Sequence, residues 1–217
     1  MTAMAEENRQ PARLYLVTPA EFDPASLPSQ LEAALGAGDI AAVLIAAGGE
    51  EHEMAAIAER LVPLIQDHGA AALIENHTRI AGRTGADGVH VSGGFGELKT
   101  VLERFRPQKI VGAGALSGRH AAMQAGEAGA DYVFFGKPHG DIRPEPHPKN
   151  IALAQWWCAL VEVPAVVMAG SAIASVAEAA ATGAEFVALH RACWAHPGGP
   201  AEGIAMAAEI ISSAEDA

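Results

Sequence analysis

The sequence predicts a single-domain α/β fold, a (β/α)8 (TIM) barrel, and three observations carry that prediction. A punctuated motif recurs along the chain. Gly85-Ala86-Asp87-Gly88-Val89-His90-Val91 returns as Gly129-Ala130-Asp131-Tyr132-Val133-Phe134-Phe135 and as Gly183-Ala184-Glu185-Phe186-Val187-Ala188-Leu189. A blurred copy stands at Gly38-Asp39-Ile40-Ala41-Ala42-Val43-Leu44-Ile45. Each copy joins a glycine suited to the left-handed helix stop, a small acidic link and a short apolar run that reads as a strand buried on both faces. The interval is roughly 45–55 residues, about two βα units, so the motif marks every second strand. Secondly, short apolar runs alternate with helix-period segments throughout, the order that parallel crossovers turn into a closed barrel or an open doubly wound sheet. Thirdly, no GxGxxG opens a helix after the first strand, so the usual sign of a dinucleotide-binding open sheet is missing. At 217 residues the chain lies near the lower end of the usual barrel length.

The elements follow in order. Residues 1–12 read as a flexible N-terminal tail, and 13–217 as the barrel. Leu14 to Thr18 is the first strand, stopped by Pro19. Leu27 to Leu35 is a helix with Ser26 or Ser29 near its start, and Val43 to Ala46 is the second strand, ending at Gly48-Gly49. Glu50 to His68 is a long helix, because Met54, Ile57, Ala58, Leu61, Val62 and Ile65 recur at helical spacing. Ala71 to Glu75 is the third strand, Thr78 to Arg83 a short helix, and Val89 to Val91 the fourth strand. A helix over Glu97 to Phe105 leads to a fifth strand at Lys109 to Gly114, and a helix over Gly118 to Ala128 to a sixth at Tyr132 to Phe135. Gly136 to Lys149 is a long polar loop rich in proline. Then come a helix at Ile151 to Val161, a seventh strand at Ala165 to Ala169, a helix at Ile173 to Ala181, an eighth strand at Phe186 to Leu189 and a last helix at Ala201 to Ser213.

Composition narrows the function. Half the residues are apolar, enough for a sizeable core, and the net charge is -12. Such an acidic chain without basic clusters argues against nucleic acid or an anionic membrane as partner. Cys158 and Cys193 have no CxxC spacing and read as buried thiols of a reducing compartment. No apolar run reaches the roughly 18 residues that a membrane span needs. Met1 to Gln10 is polar, without a hydrophobic signal region, so a cytoplasmic location is expected.

In a barrel, chemistry belongs at the C-terminal ends of the strands. Those ends carry Thr18, Glu75-Asn76-His77, His90 with Ser92, Gly114 with Ser117, Lys137 with His139, Gly170-Ser171 and His190-Arg191. The clearest signal is Met168-Ala169-Gly170-Ser171-Ala172-Ile173, a small flexible turn before a helix, where free backbone N–H groups favour a phosphate. His190 and Arg191, one strand later, add positive charge. His77, His90, His139, His190 and Glu75 share the rim but have no HxH, HxxxH or HExxH spacing, so no metal site is assigned. A GxSxG elbow for a nucleophilic serine is also missing.

These stretches together resemble the thiamine phosphate synthase and thiazole tautomerase family of (β/α)8 barrels. The resemblance runs from about residue 13 to 210 and rests on Leu14-Tyr15-Leu16-Val17-Thr18, the GADGVH and GADYV copies above in their order and spacing, Val111-Gly112, and Pro164 through Gly170-Ser171-Ala172-Ile173. It implies a synthase that joins a pyrimidine diphosphate to a thiazole phosphate, with Mg²⁺ on the diphosphate. The chain departs from that pattern at the diphosphate. The family's Gln-x-Arg-x-Lys falls on Leu44, Ala46 and Gly48, its Asn-Asp on Glu75-Asn76, and its Gly-Gln-x-Asp on Ser92-Gly93-Gly94-Phe95. A diphosphate carries about three negative charges, which those lost groups would stabilise as it leaves. The tautomerase branch resembles a site with a histidine just after the Phe-Gly of the sixth strand, where this chain has Lys137, with His139 two residues on.

The expectation is therefore a family barrel of thiamine metabolism that binds a small phosphorylated, thiazole-type ligand at a degenerate diphosphate and Mg²⁺ site, with at most tautomerase-like proton transfer. Lys137, His139 and His90 are the acid–base candidates. Gly170, Ser171 and Arg191 anchor phosphate, and Glu75, Asn76, Ser92, Gly114 and His190 line the pocket. An active synthase using Mg²⁺ and a non-catalytic ligand-binding paralogue stand as alternatives, and a homo-oligomer stays open.

Overall fold

The structure, a computed structural model, describes residues 11–46 and 50–213. Its strands are β1 (Arg13–Val17), β2 (Ile40–Ile45), β3 (Ala71–Glu75), β4 (Gly88–Val91), β5 (Ile110–Ala113), β6 (Tyr132–Phe135), β7 (Ala165–Met168) and β8 (Phe186–Leu189). Each pairs in parallel with the next, and β8 returns to β1 through Leu14↔Val187 and Leu16↔Leu189, closing the barrel. Between them run α1 (Leu27–Leu35), α2 (Glu51–Asp67), α3 (Thr78–Thr84), α4 (Phe95–Phe105), α5 (Arg119–Glu127), α6 (Pro148–Cys158) and α7 (Ser175–Ala180), with α8 (Arg191–Trp194) and α9 (Pro200–Ser213) after β8. No helix among the described residues is long and apolar enough to cross a membrane.

The recurring motif has a structural meaning at both of its halves. Gly85, Gly129 and Gly183 have φ of +74°, +94° and +82°, the left-handed values that a side chain disfavours. The acidic link then binds the start of the strand before it. Asp87 accepts the Ala72 N–H at 2.8 Å, Asp131 the Val111 N–H at 2.8 Å, and Glu185 the Ala165 N–H at 2.8 Å. Each carboxylate thus staples an even strand to the odd strand beside it at the N-terminal end of the barrel, the end associated with stability rather than catalysis. The blurred copy differs. Gly38 is not left-handed and lies against Ile204 of α9, and Asp39 pairs with the Arg13 guanidinium at 2.7 Å.

Two apolar layers hold the barrel. The larger lies between strands and helices, with Leu16, Val43, Ile45, Leu61, Ile74, Val111, Phe135 and Trp157. The smaller fills the interior with Tyr15, Val17, Leu44, Leu73, Tyr132, Phe134, Val166, Met168 and Ala188. Alternation along each strand puts Glu75, His90, Gly114 and His190 on the inward side toward the C-terminal rim. Cys193 is buried and Cys158 half-buried, and neither forms a disulfide.

Several element boundaries depart from the pattern-based expectation. β2 starts at Ile40 rather than Val43, because the apolar run after Asp39 pairs with β1 and β3 along its length. α4 starts at Phe95 rather than Glu97. α6 starts at Pro148, inside the expected loop. The His147 ring accepts the Lys149 N–H at 3.2 Å, and proline suits a first helical position whose N–H has no helical partner. α7 is confined to Ser175–Ala180, because residues 170–172 are held by side chain and loop contacts described below. α8 was not foreseen. Gly48-Gly49 and most of the N-terminal tail lie outside the described residues.

Candidate functional site

The floor of the rim is a buried hydrogen-bonded row. Tyr15 Oη and Tyr132 Oη lie 2.9 Å apart, and Tyr132 Oη is 2.9 Å from His90 Nδ1. The rows Glu75↔His90↔Gly112↔Tyr132 are register partners across β3 to β6, which is why these side chains meet. Glycines make room for them: a Cβ on Gly112 would stand 1.9 Å from the Tyr132 ring, and one on Gly114 2.4 Å from His90 Nε2. His90 is fully buried, and burial pushes its imidazole down to about 3, so it is neutral near pH 7. Among the described residues its Nε2 has no hydrogen-bond partner. Burial raises both tyrosines as well, Tyr15 with a contribution from its Tyr132 neighbour. His90 therefore sits one layer beneath the rim with no surface of its own.

Above it, β3 and β4 bring the expected lining residues together. Ser92 Oγ donates to Glu75 Oε1 at 2.7 Å, and the Ser92 N–H donates to Asn76 Oδ1 at 2.7 Å. Asn76 is left-handed, with φ +56°, which turns its side chain back to that N–H. Among the described residues no group of three or more His, Cys, Asp or Glu side chains forms a metal cage. Glu75 fits a looser Mg²⁺ site, since this ion is commonly held by one or two carboxylates together with substrate phosphates. Asn76 has its oxygen committed to Ser92. On β2, Leu44 and Ala46 are buried apolar groups where the resemblance implies polar ones, and Gly48 lies outside the described residues.

The opposite half of the rim is covered by residues 136–147, the loop between β6 and α6. Lys137 points into solvent and joins no other candidate. His139 reaches back across the barrel mouth, its Nε2 3.0 Å from the Thr18 carbonyl, and its ring meets that of His190 edge-on at 4.7 Å. Asp141 turns inward. Its carboxylate, with no exposed surface, lies 2.9 Å from His190 Nδ1 and accepts the Arg191 N–H at 2.5 Å. The Arg191 guanidinium is half-exposed, with Nε 3.9 Å from the same carboxylate.

The turn expected to hold phosphate is already engaged. The Gly170 N–H donates to Ser175 Oγ at 2.9 Å, the Ser171 N–H to the Arg143 carbonyl at 2.7 Å, and the Ala172 N–H to the Pro144 carbonyl at 3.2 Å. The Ser171 N–H thus meets a ligand phosphate only where the Arg143 carbonyl has moved, and the Gly170 N–H only where Ser175 Oγ has released it. Arg191 lies one strand away, and Lys149 Nζ bonds the Ser117 carbonyl at 2.8 Å.

The structure therefore groups His139, His190 and Arg191 on one side and Glu75, Asn76 and Ser92 on the other, with Gly114 between them and the ring of His90 buried beneath it. Sequence reasoning missed Asp141, because a lone aspartate in a proline-rich loop has no periodicity to say which way it faces. It also missed Tyr132, which read only as part of an apolar strand, and Trp194, whose Nε1 donates to the Val17 carbonyl at 2.7 Å.

Known proteins share this architecture. The profile of the thiamine monophosphate synthase family matches residues 14–193. A thiamine-phosphate synthase of Rhodospirillum centenum is 38% identical over 202 residues, covering 89% of this chain and 94% of that protein. One from Hyphomonas neptunium is 34% identical over 203 residues, covering 90% and 92%. A solved structure of a thiamine phosphate pyrophosphorylase from Pyrococcus furiosus superposes with a TM-score of 0.76 at 20% identity, covering 93% of this chain and 96% of that one. At that identity the superposition speaks for the fold, and the sequence matches speak for descent. This chain belongs to the thiamine monophosphate synthase family.

Proposed function

We propose that this chain is a thiamine-phosphate synthase, the transferase that joins a pyrimidine diphosphate to a thiazole phosphate. One observation carries the reading: the likeness to relatives bearing that name runs through nearly the whole chain, at 38% identity over 89% of its length. The reading takes precedence over the degenerate site expected from the β2 substitutions. Several relatives of the same kind match over most of the barrel, so the family resemblance is not confined to the scaffold motif.

Glu75 would hold Mg²⁺, which when bound supplies positive charge for the departing diphosphate. Glu75 is positioned for this by the Ser92 hydroxyl, which fixes one carboxylate oxygen. The barrel interior beneath is closed by Tyr15, Tyr132 and Phe134, so a ligand rests on this floor instead of sinking into the barrel. Cationic and donor groups gather on the β6 to β8 side, where His139, His190 and Arg191 would meet a ligand phosphate. The reading goes with a cytoplasmic enzyme.

The degenerate reading, a phosphorylated-ligand binder with at most tautomerase-like proton transfer, keeps one specific observation in its favour: Leu44 and Ala46 bring no charge to the end of β2. A turnover assay with both substrates and Mg²⁺ separates the two. The synthase reading expects steady formation of thiamine monophosphate, with a fall of at least tenfold for Glu75→Gln. Ligand binding without product supports the degenerate reading.

A further inference from the structure

The Asp141–His190 pair has a geometry that a loop anchor alone does not need. The Asp141 side chain is wholly removed from water. Burying a carboxylate is costly unless donors satisfy it, and the donors present are His190 Nδ1 and the Arg191 N–H. A carboxylate only accepts, so Nδ1 of His190 carries the hydrogen between them. The other ring nitrogen is then left for the rim. His190 keeps a small exposed surface, 10% of its side chain, and among the described residues Nε2 has no hydrogen-bond partner. Its position two residues beyond inward-facing Ala188 places it over the barrel mouth.

We propose that Asp141 is a positioning residue: it commits Nδ1 of His190 inward, so that Nε2 of His190 is the atom that meets a phosphoryl oxygen of the ligand. This rests on the phosphorylated-ligand reading above but not on synthase turnover. A phosphoryl oxygen needs a donor, so Nε2 binds it as N–H while Nδ1–H stays on Asp141. The ligand-bound imidazole then carries a hydrogen on each ring nitrogen, one toward Asp141 and one toward the phosphoryl oxygen. The titratable or charged groups facing His190, among the described residues, are Asp141 and His139 from the loop and Arg191 beside it.

The test uses the full chain and inorganic phosphate as probe. Calorimetric titrations give the affinity for phosphate. Nitrogen-15 spectra of the imidazoles report which ring nitrogen carries hydrogen. In the phosphate complex of the wild type both ring nitrogens of His190 are expected to carry hydrogen. Asp141→Asn keeps the shape and one acceptor but loses the carboxylate, and is expected to bind phosphate about tenfold more weakly, with the hydrogen no longer fixed on Nδ1 of His190. His190→Gln is expected to weaken binding by at least as much. Phosphate binding to the wild type with no hydrogen on Nε2 of His190 overturns the proposal, as does an Asp141→Asn protein that matches the wild type in both affinity and the His190 spectrum. Absence of phosphate binding to the wild type overturns it together with the phosphorylated-ligand reading, whereas a protein that binds phosphate as described but forms no product counts against synthase activity alone. The wild-type measurements decide the matter even if a variant fails to fold.

Discussion

Gly170→Ala should release the loop that covers the β7 side of the rim. The Gly170 φ lies outside the left-handed region, so alanine is not excluded by backbone conformation. The obstacle is space. The new Cβ would stand 2.1 Å from the Pro144 carbonyl oxygen and 2.6 Å from the Pro144 and Glu145 carbonyl carbons. These are backbone atoms that cannot rotate away, so the loop has to retreat by about 1 Å or more to reach ordinary contact. That movement breaks the donations from Ser171 N–H to Arg143 and from Ala172 N–H to Pro144. At about 1 kcal/mol net for each, the loss is about 2 kcal/mol of loop closure, or roughly thirtyfold in the ratio of closed to open loop. The strand ladder of β7 with β6 and β8 does not pass through these bonds, so the barrel itself should keep its stability. Hydrogen exchange read by mass spectrometry should show residues 137–147 and the Ser171 and Ala172 amides exchanging about thirtyfold faster, with the β7 amides unchanged. Exchange at those two amides within twofold of wild type would refute the argument that the loop carbonyls occupy the turn.

Other consequences can be checked separately. Asp131→Ala removes the acceptor of the Val111 N–H and the partner of Arg106, and should cost about 1–3 kcal/mol in denaturant unfolding without changing ligand affinity. His90 is held neutral, with its imidazole near 3 in the fold, while the unfolded chain takes up a proton near the ordinary histidine value. Its contribution is therefore fully present above about pH 6.5 and is lost as pH falls toward the folded value, by an amount on the order of 4 kcal/mol. His90→Asn should flatten the stability profile between pH 6.5 and 3, and an unchanged slope would count against a buried neutral ring. Cys193 is buried and its thiol is pushed up to about 12 by burial, so a thiol-alkylating reagent at pH 7.5 should modify it only after unfolding. Rapid labelling of Cys193 in the native protein would contradict its placement.

Much of the barrel was legible because its cues are local. A glycine before an acidic residue and a Val-rich run marks a helix stop and a strand start within a few residues, and the left-handed Gly85, Gly129 and Gly183 show that cue at work. What the acid does was not legible, because the Ala72, Val111 and Ala165 N–H groups it satisfies belong to the neighbouring strand, up to 20 residues away. The same limit applies to the site. Glu75, Ser92 and Asn76 could be placed at one rim because each ends a strand or follows one. His90 also lies near a strand end, but its alternation inward sends it into the core beneath the rim, and only the register with Gly112 and Tyr132 reveals that. Asp141 and its partner His190 are separated by 49 residues, and the loop between β6 and α6 carries no periodic signal. The phosphate turn shows the opposite difficulty: the local sequence is right for free N–H groups, and a distant loop has taken them.

A crystal structure of the chain with thiamine monophosphate tests the central claim most directly, because it asks whether the product of the proposed reaction fits this rim. The account predicts the product lying across the floor formed by Tyr132 and Gly114, with its phosphate within hydrogen-bond distance of His190 Nε2 on the β7 to β8 side and the loop at 136–147 displaced from Ser171 and Ala172. Product bound elsewhere on the barrel, or a rim that stays closed and unbound at saturating product, would contradict it.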